Sequence, residues 1–348
     1  MPPKLSREIE YVIMTTMEQK PTSLVTGGAG FIGSHVVDEL LERGHRVVVL
    51  DDLSGGFIDN VNKKALFVAG SVTDKRLVNE LFEKHSFDYV FHLAAYAAEG
   101  LSHFIRSFNY ENNLQGSINL INASVNNAVK TFVFTSSVAV YGRNQVPMTE
   151  DLVPTPEDPY GISKYAVELD LKAAHEIFGL DYIVFRPHNV YGERQNIGDK
   201  YRNVAGIFMN KVMEGEPLPI FGDGKQVRAF SHIANVAPVI TNSIDIPEAR
   251  NQTFNVGADT PYTVLELAEV ISKAMGVPLN IIHLPERNEV KIAYADHSKT
   301  TRVFGSISSI VLEEGIKRMA EWAKSTGART SKKFGAIEIS KNLPESWI

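Results

Sequence analysis

The 348-residue sequence contains no cysteine. Disulfides, thiolate metal sites, iron–sulfur clusters and cysteine nucleophiles are therefore excluded. A basic surplus is also missing: 35 Lys and Arg stand against 41 Asp and Glu, for a net charge of −6. That balance leaves no electrostatic footprint for nucleic acid. No apolar run approaches the roughly 18 residues of a membrane-crossing helix. The ten histidines are scattered, with no i, i+4 pair and no neighbouring carboxylate motif, so no metal site is expected. Residues 1–20 lack an apolar stretch followed by a small-residue cleavage site. They read as an extension ahead of the first strand and not as a secretory leader, and the protein is expected in the cytoplasm.

What is present is ordinary globular material, 44% hydrophobic with 25 glycines, enough for one large or two modest domains. Short apolar runs alternate with helical patterns through the first half. Strands are expected at Ser23–Thr26, Arg46–Leu50, Ala65–Val68, Tyr89–Leu93, Thr131–Thr135 and Tyr182–Phe185. Helices are expected at Phe31–Arg43, Leu77–Lys84, Asn109–Asn127 and Gly161–Phe178. This alternation predicts an α/β fold, a Rossmann-type doubly wound parallel sheet. After Gly192 the pattern loosens into a smaller mixed α/β lobe. The predicted division is a dinucleotide-binding domain over 21–187, completed by segments near 228–258, with a substrate lobe largely over 188–325. Residues 326–348 read either as an extended arm pinned by Trp347 or as a partly ordered tail.

The strongest local signal is Thr26-Gly27-Gly28-Ala29-Gly30-Phe31-Ile32-Gly33. It follows a strand and opens a helix, the context in which a glycine-rich turn cradles a pyrophosphate. Free N–H groups and the helix dipole favour the phosphates there. Asp51 ends the next strand, where a carboxylate accepts hydrogen bonds from an adenosine ribose. No Arg or Lys in residues 51–56 is placed to meet a 2′-phosphate, so NAD is favoured over NADP.

Tyr160 is followed four residues later by Lys164, which on a helix puts both on one face. An ammonium beside a phenol favours the phenolate, giving a general base. Taken alone, a solvated helix lysine beside a packing tyrosine explains the spacing as well. The pair lies shortly after strand Thr131–Thr135, however, whose C-terminal end carries Ser136-Ser137. Ligands of doubly wound sheets bind at strand C-terminal ends.

The chain resembles an extended short-chain dehydrogenase/reductase of the nucleotide-sugar epimerase and dehydratase branch. The matching pieces are TGGAGFIGSH at 26–35, DDLSGG at 51–56, HLAA at 92–95, YENNLQGSINL at 110–120, TSSVAVYG at 135–142, PYGISKYAVE at 159–168, RPHNVYGERQ at 186–195 and IFGDGKQVRAF at 220–230. The resemblance implies a catalytic triad of Ser137, Tyr160 and Lys164. It implies NAD held by Gly27, Gly30, Phe31, Ile32, Gly33, Asp51, Asp52, Ser54, Ser71, Val72, Leu93, Ala94 and Ala95. Asn113 and Pro187 would lie near the cofactor or its supporting helix, with Tyr160 and Lys164. A nucleotide-diphosphate sugar, UDP-linked by preference, would be held by Ser137, Asn189, Asn203, Phe221, Arg228 and Arg287. A homodimer is implied too, through helices Asn109–Asn127 and Gly161–Phe178.

Among the branch's reactions, 4,6-dehydratases carry an Asp–Glu pair where this chain has Val138 and Ala139, and decarboxylases carry a Glu at Ala139. The 3,5-epimerases need a cysteine. The remaining machinery suits C4 epimerisation. Uronate 4-epimerisation is the alternative, with Arg106 or Arg194 as the cation near C6, and a catalytically silent NAD-binding protein is another. Ser71, His188, Ala229 and the Tyr96-Ala97-Ala98-Glu99-Gly100 string depart from the usual pattern. Ala293 falls at the position whose bulk excludes N-acetylated sugars, so tolerance of UDP-GlcNAc is expected.

Overall fold

The computed structural model describes residues 20–286, 290–306, 309–330, 334–344 and Trp347. The extension read for residues 1–20 falls outside these except for Lys20, and so does Arg287. Seven strands run parallel: β1 (Thr22–Thr26), β2 (Arg46–Asp51), β3 (Leu66–Ala69), β4 (Tyr89–His92), β5 (Thr131–Thr135), β6 (Tyr182–Pro187) and β11 (Gln252–Val256). Their spatial order is β11-β6-β5-β4-β1-β2-β3. Central strand β1 sets Leu24 opposite both Val48 and Val90.

Helices cover both faces, so the strands between them are buried on both sides and read as unbroken apolar runs. One face carries α1 (Phe31–Glu42) and α8 (Ala237–Asn242), which pack Val36, Val37, Leu40, Val239 and Ile240 against Val49, Phe91 and Phe185. On the other lie α2 (Lys75–His85), α5 (Gly116–Asn126) and α6 (Pro159–Phe178). They set Val78, Leu120, Val167 and Leu171 against Leu24, Val90 and Phe132. The order of connections reverses between β1 and β4, which opens a crevice at the carboxyl ends of those strands.

The continuous helix expected over Asn109–Asn127 is three pieces. After a short turn α3 (Glu99–Ser102) come α4 (Arg106–Tyr110), a π turn at Glu111–Gln115, and α5. The π turn coincides with inward-facing Asn113, whose amide accepts from Tyr96 N at 2.8 Å and donates to Tyr96 O at 3.1 Å and Asn109 Oδ1 at 2.8 Å. Such bulges open the backbone where a side chain must reach a particular partner. Helical periodicity carries no sign of that demand.

The second lobe gathers α7 (Val204–Glu214), α9 (Val264–Met275) and α11 (Leu312–Thr326) around strands β8 (Leu218–Phe221) and β13 (Ile281–Leu284). Phe208, Met209, Leu267, Ile271, Ile316 and Met319 are its core. Strand β9 (Val227–Ala229) pairs antiparallel with β12 (Pro261–Thr263) and parallel with β14 (Ile292–Ala293).

Candidate active site

A cleft of about 1690 Å³ runs from the glycine-rich turn across the carboxyl ends of β1, β4 and β5 into the second lobe. The turn is tight because Gly33 leaves no room for a side chain: a Cβ there would stand 2.1 Å from Gly27 O. Helix α1 thereby starts hard against the turn, and its N-terminus faces the cleft. Gly27, Gly30, Phe31, Ile32 and Gly33 all line it.

Asp51 ends β2 nearly buried. Its carboxylate accepts from Ala29 N at 3.0 Å and Leu53 N at 2.8 Å. Burial pushes its pKa up, and those amide hydrogen bonds pull against the shift. Asp52, Ser54, Ser71, Val72, Leu93, Ala94, Ala95 and Pro187 line the same end. A wall whose backbone admits close approach, closed by a carboxylate and small residues, fits a dinucleotide. Asn113 differs from this group. It is fully buried behind the wall and holds the Tyr96 segment, while its neighbour Asn112 lines the cleft. Its role is support, and Asn109 extends that support by donating to Pro159 O at 2.9 Å.

The middle of the cleft brings Ser137, Tyr160 and Lys164 together. Helix α6 begins with Asp158 as N-cap, accepting from Gly161 N at 2.9 Å, and with Pro159 at its first position. Both are strong helix-start signals. A Cβ on Gly161 would lie 2.6 Å from Ala139 O. This close approach seats the first turn of α6 on the segment after β5, so that Tyr160 and Ser137 line the same part of the cleft, where Ser137 Oγ accepts from Ala139 N at 3.1 Å.

The expected depression of the Tyr160 pKa is not what the structure has. Burial pushes the phenol above its ordinary value, and the Ser137 contact offsets this only partly. Lys164 is engaged elsewhere. Its ammonium donates to Thr135 O at 2.8 Å and lies over the Phe134 ring, 5.9 Å from the Tyr160 ring centroid. Burial takes Lys164 itself down to about 7, with Glu168 pulling it back up. Beside this group Val138 and Ala139 line the cleft with aliphatic side chains.

Toward the second lobe lie Asn189, Asn203, Phe221, Arg228 and Ala293. Arg228 spans from β9 to the stretch before β14, donating to Val290 O at 2.5 Å and Lys291 O at 3.2 Å. Asn189 donates to Ala229 O at 3.2 Å, and Asn203 donates to Val190 O. Neither Arg106 nor Arg194, considered as partners for a uronate, lines the cleft. Arg194 is turned to Asp38 at 2.6 Å. Arg202 does enter the cleft, as Arg228 does, paired with Asp199 at 2.5 Å and stacked 4.8 Å from the centroid of Tyr96. Glu99, His103, Phe104, Tyr201, Lys341 and Trp347 also line this part. Their only trace in the sequence is the unusual string that follows HLAA, together with the lone tryptophan of the C-terminal arm.

A glycine-turn dinucleotide cleft that continues past a Ser–Tyr–Lys group into a cation-bearing lobe defines an NAD-dependent enzyme of the short-chain type. Residues 23–257 match the NAD dependent epimerase/dehydratase family, and the chain belongs to that family. It is 33% identical over 311 residues to a UDP-glucose 4-epimerase of Mycolicibacterium smegmatis, covering 87% of this chain and 98% of that one. A crystal structure of UDP-glucose 4-epimerase from Thermotoga maritima with UDP-glucose matches with a TM-score of 0.84 at 36% identity, over 88% of this chain and 99% of that chain. A UDP-N-acetylglucosamine 4-epimerase from Methanobrevibacter ruminantium in complex with UDP-N-acetylmuramic acid matches at 0.82 and 32%, over 89% of this chain and all of that chain. The enzyme is an NAD-dependent isomerase of the nucleotide-sugar 4-epimerase type.

Proposed function

We propose that the enzyme interconverts the C4 epimers UDP-glucose and UDP-galactose, and that it accepts the UDP-GlcNAc/UDP-GalNAc pair. The observation that carries this reading is the placement of Tyr160, Ser137 and Lys164 together in the cleft beside aliphatic Val138 and Ala139. The proton-transfer group beside the sugar is then a phenol backed by a hydroxyl. No carboxylate stands at 138 or 139 to remove a C5 proton or protonate O6. Small Ala293 on the cleft wall leaves room for an N-acetyl group.

In this reading bound NAD⁺ supplies the acceptor for the C4 hydride and, once reduced, its donor. Gly27, Gly30, Gly33 and Asp51 would hold it. Ser137 donates to, or accepts from, O4. Tyr160 takes the 4-OH proton and returns it after the 4-keto sugar has turned over. Lys164 supplies positive charge next to the phenol when protonated. Arg228 anchors the diphosphate, since its planar fork suits phosphate oxygens. Arg287 has the same proposed role by position in the chain. Holding the diphosphate while the sugar rotates turns both half-reactions into unimolecular steps.

The protein is proposed to act as a homodimer through the outer face of α6, where Ile162, Leu169 and Ile177 are exposed in one stripe.

Purified enzyme incubated with UDP-galactose should yield UDP-glucose by NMR, with no dehydrated or decarboxylated product. Tyr160→Phe should lower the rate by about 10²–10⁴-fold, the usual worth of a positioned acid–base group, and still bind NAD. An enzyme inert toward both UDP-hexoses, or a Phe variant with full activity, would refute the assignment.

A further inference from the structure

The C-terminal segment crosses the molecule. It leaves the second lobe at α11, and Asn210 of α7 holds Arg329 through Asn210 Oδ1 (2.8 Å from Arg329 N) and Nδ2 (3.1 Å from Arg329 O). The Arg329 guanidinium then rests 3.7 Å from the centroid of Phe57, beside the cofactor lobe. Farther on, Phe334 packs edge-on against Phe108 at 4.9 Å and lies 5.2 Å from Tyr96. Glu338 accepts from Ser107 N at 2.8 Å and Phe108 N at 2.9 Å, while the backbone N–H groups of Glu338 and Ile339 donate to Phe104 O. Trp347 ends the crossing, nearly buried, edge-on to Phe104 at 6.1 Å and Tyr201 at 5.6 Å. Its ring lies against Gly100, where a Cβ would come within 3.0 Å of it.

These contacts fall on the ground beneath the reacting group. Gly100 belongs to α3, and Ser102 of the same turn accepts from Tyr160 N at 3.3 Å and donates to Asp158, the cap of α6, at 3.4 Å. Lys341, Asn342, Pro344 and Trp347 line the same cleft as Tyr160 and Ser137.

We propose that residues 334–344 with Trp347 form the outer wall of the sugar pocket, and that Trp347 determines which hexoses fit and keeps the 4-keto sugar from escaping. The proposal rests on the 4-epimerase reading above. Its physical logic concerns the turnover step. Between the two hydride transfers the sugar must rotate while held by its diphosphate alone. A wall of directional hydrogen-bond donors would favour one face of the sugar over the other. Here the Trp347 indole, with Phe104 edge-on to it, gives the wall an apolar stretch beside Lys341 and Asn342, and that stretch covers the sugar, excludes water and leaves rotation free. It also joins the two lobes across the opening, so loss of the ketone would require the wall to part.

The test is the Trp347→Ala enzyme. Expected are a rise of about tenfold in KM for UDP-galactose, equivalent to about 1.4 kcal/mol, and a smaller change in kcat. During turnover the variant should also accumulate stranded reduced cofactor, because C4 is oxidised and the ketone departs before hydride returns. Trp347→Phe should recover most of both properties. A Trp347→Ala enzyme with unchanged KM and no stranded reduced cofactor overturns the proposal. A second measurement does not depend on that variant folding. The chain has two tryptophans, so Trp322→Phe leaves Trp347 as the sole indole reporter. Saturating UDP-glucose should then change its emission, and an unchanged spectrum in an enzyme that turns over overturns the wall. Failure of the wild type to interconvert the hexoses strikes the 4-epimerase reading instead, so the two failures are distinguishable.

Discussion

Lys164 carries a cost that depends on pH. It is 2% exposed, and burial lowers its pKa to about 7, against about 10.4 in the unfolded chain. Between those values the unfolded chain binds a proton that the folded chain does not. Stability therefore rises with pH through this window, because the slope follows protons bound unfolded minus folded. The cost is largest below pH 7 and is gone above the unfolded value. Lys164→Met should remove that rise in urea titrations at successive pH values, and should be at least as stable as wild type near neutrality while losing activity. A variant whose stability climbs between pH 7 and 10 as steeply as wild type would refute this account. Burial also pushes the Tyr160 phenol above its ordinary value.

Helix α6 carries the catalytic pair at its start and a buried ion pair in its middle. Glu168, one turn beyond Lys164, accepts from Arg186 Nε at 3.0 Å, from Arg186 Nη2 at 2.5 Å and from Ser136 Oγ at 2.5 Å. Both charged side chains are almost fully buried. The Arg186 guanidinium also stacks 4.7 Å from the centroid of Tyr141. The pair ties α6 to β5 and β6, fixing the register that sets Tyr160 against Ser137. Removing one member leaves the other charged in the core, at a typical cost of about 3–5 kcal/mol, whereas an apolar replacement of both is far better tolerated. Glu168→Leu should therefore lose about that much stability in urea unfolding, and adding Arg186→Met should recover most of it. Additive losses in the double variant would show that the pair is not coupled. At its far end α6 stops at Gly179, whose φ of 75° closes the helix in the left-handed region.

At the scale of the molecule, two lobes close over one cleft, and the outer face of α6 remains uncovered. Leu169 is 51% and Ile177 74% exposed, with Phe178 beside them at 66%. Seven- and eight-residue spacing keeps Ile162, Leu169 and Ile177 on one stripe. A second copy of the chain meeting this stripe, as proposed above, would bury it and steady the helix that bears Tyr160 and Lys164. Sedimentation should find a dimer in the wild type and a monomer in Leu169→Lys/Ile177→Glu, with reduced activity in the monomer. A wild type that sediments as a monomer would overturn this arrangement.

The strand–helix alternation, the glycine turn, Asp51 and the Tyr160–Lys164 spacing are all legible in the sequence, because each is a short-range signal. Buried parallel strands must be apolar on both faces, and a turn beneath a pyrophosphate must be glycine-rich. Cofactor class and reaction family followed from those signals and from the motifs around them. Burial and assembly are not local properties, and there only the tertiary structure decided. It set Asn113 behind the cleft wall as the support of Tyr96, the second of the two places expected for it, and it brought Arg202, and neither Arg106 nor Arg194, into the cleft. The Tyr160 phenol shifts up and not down because burial dominates, while the Lys164 ammonium donates to Thr135 O. A tail that read as ordered arm or loose end became a wall, since Trp347 finds Gly100 and Tyr201 only when residues hundreds of positions apart are brought into contact.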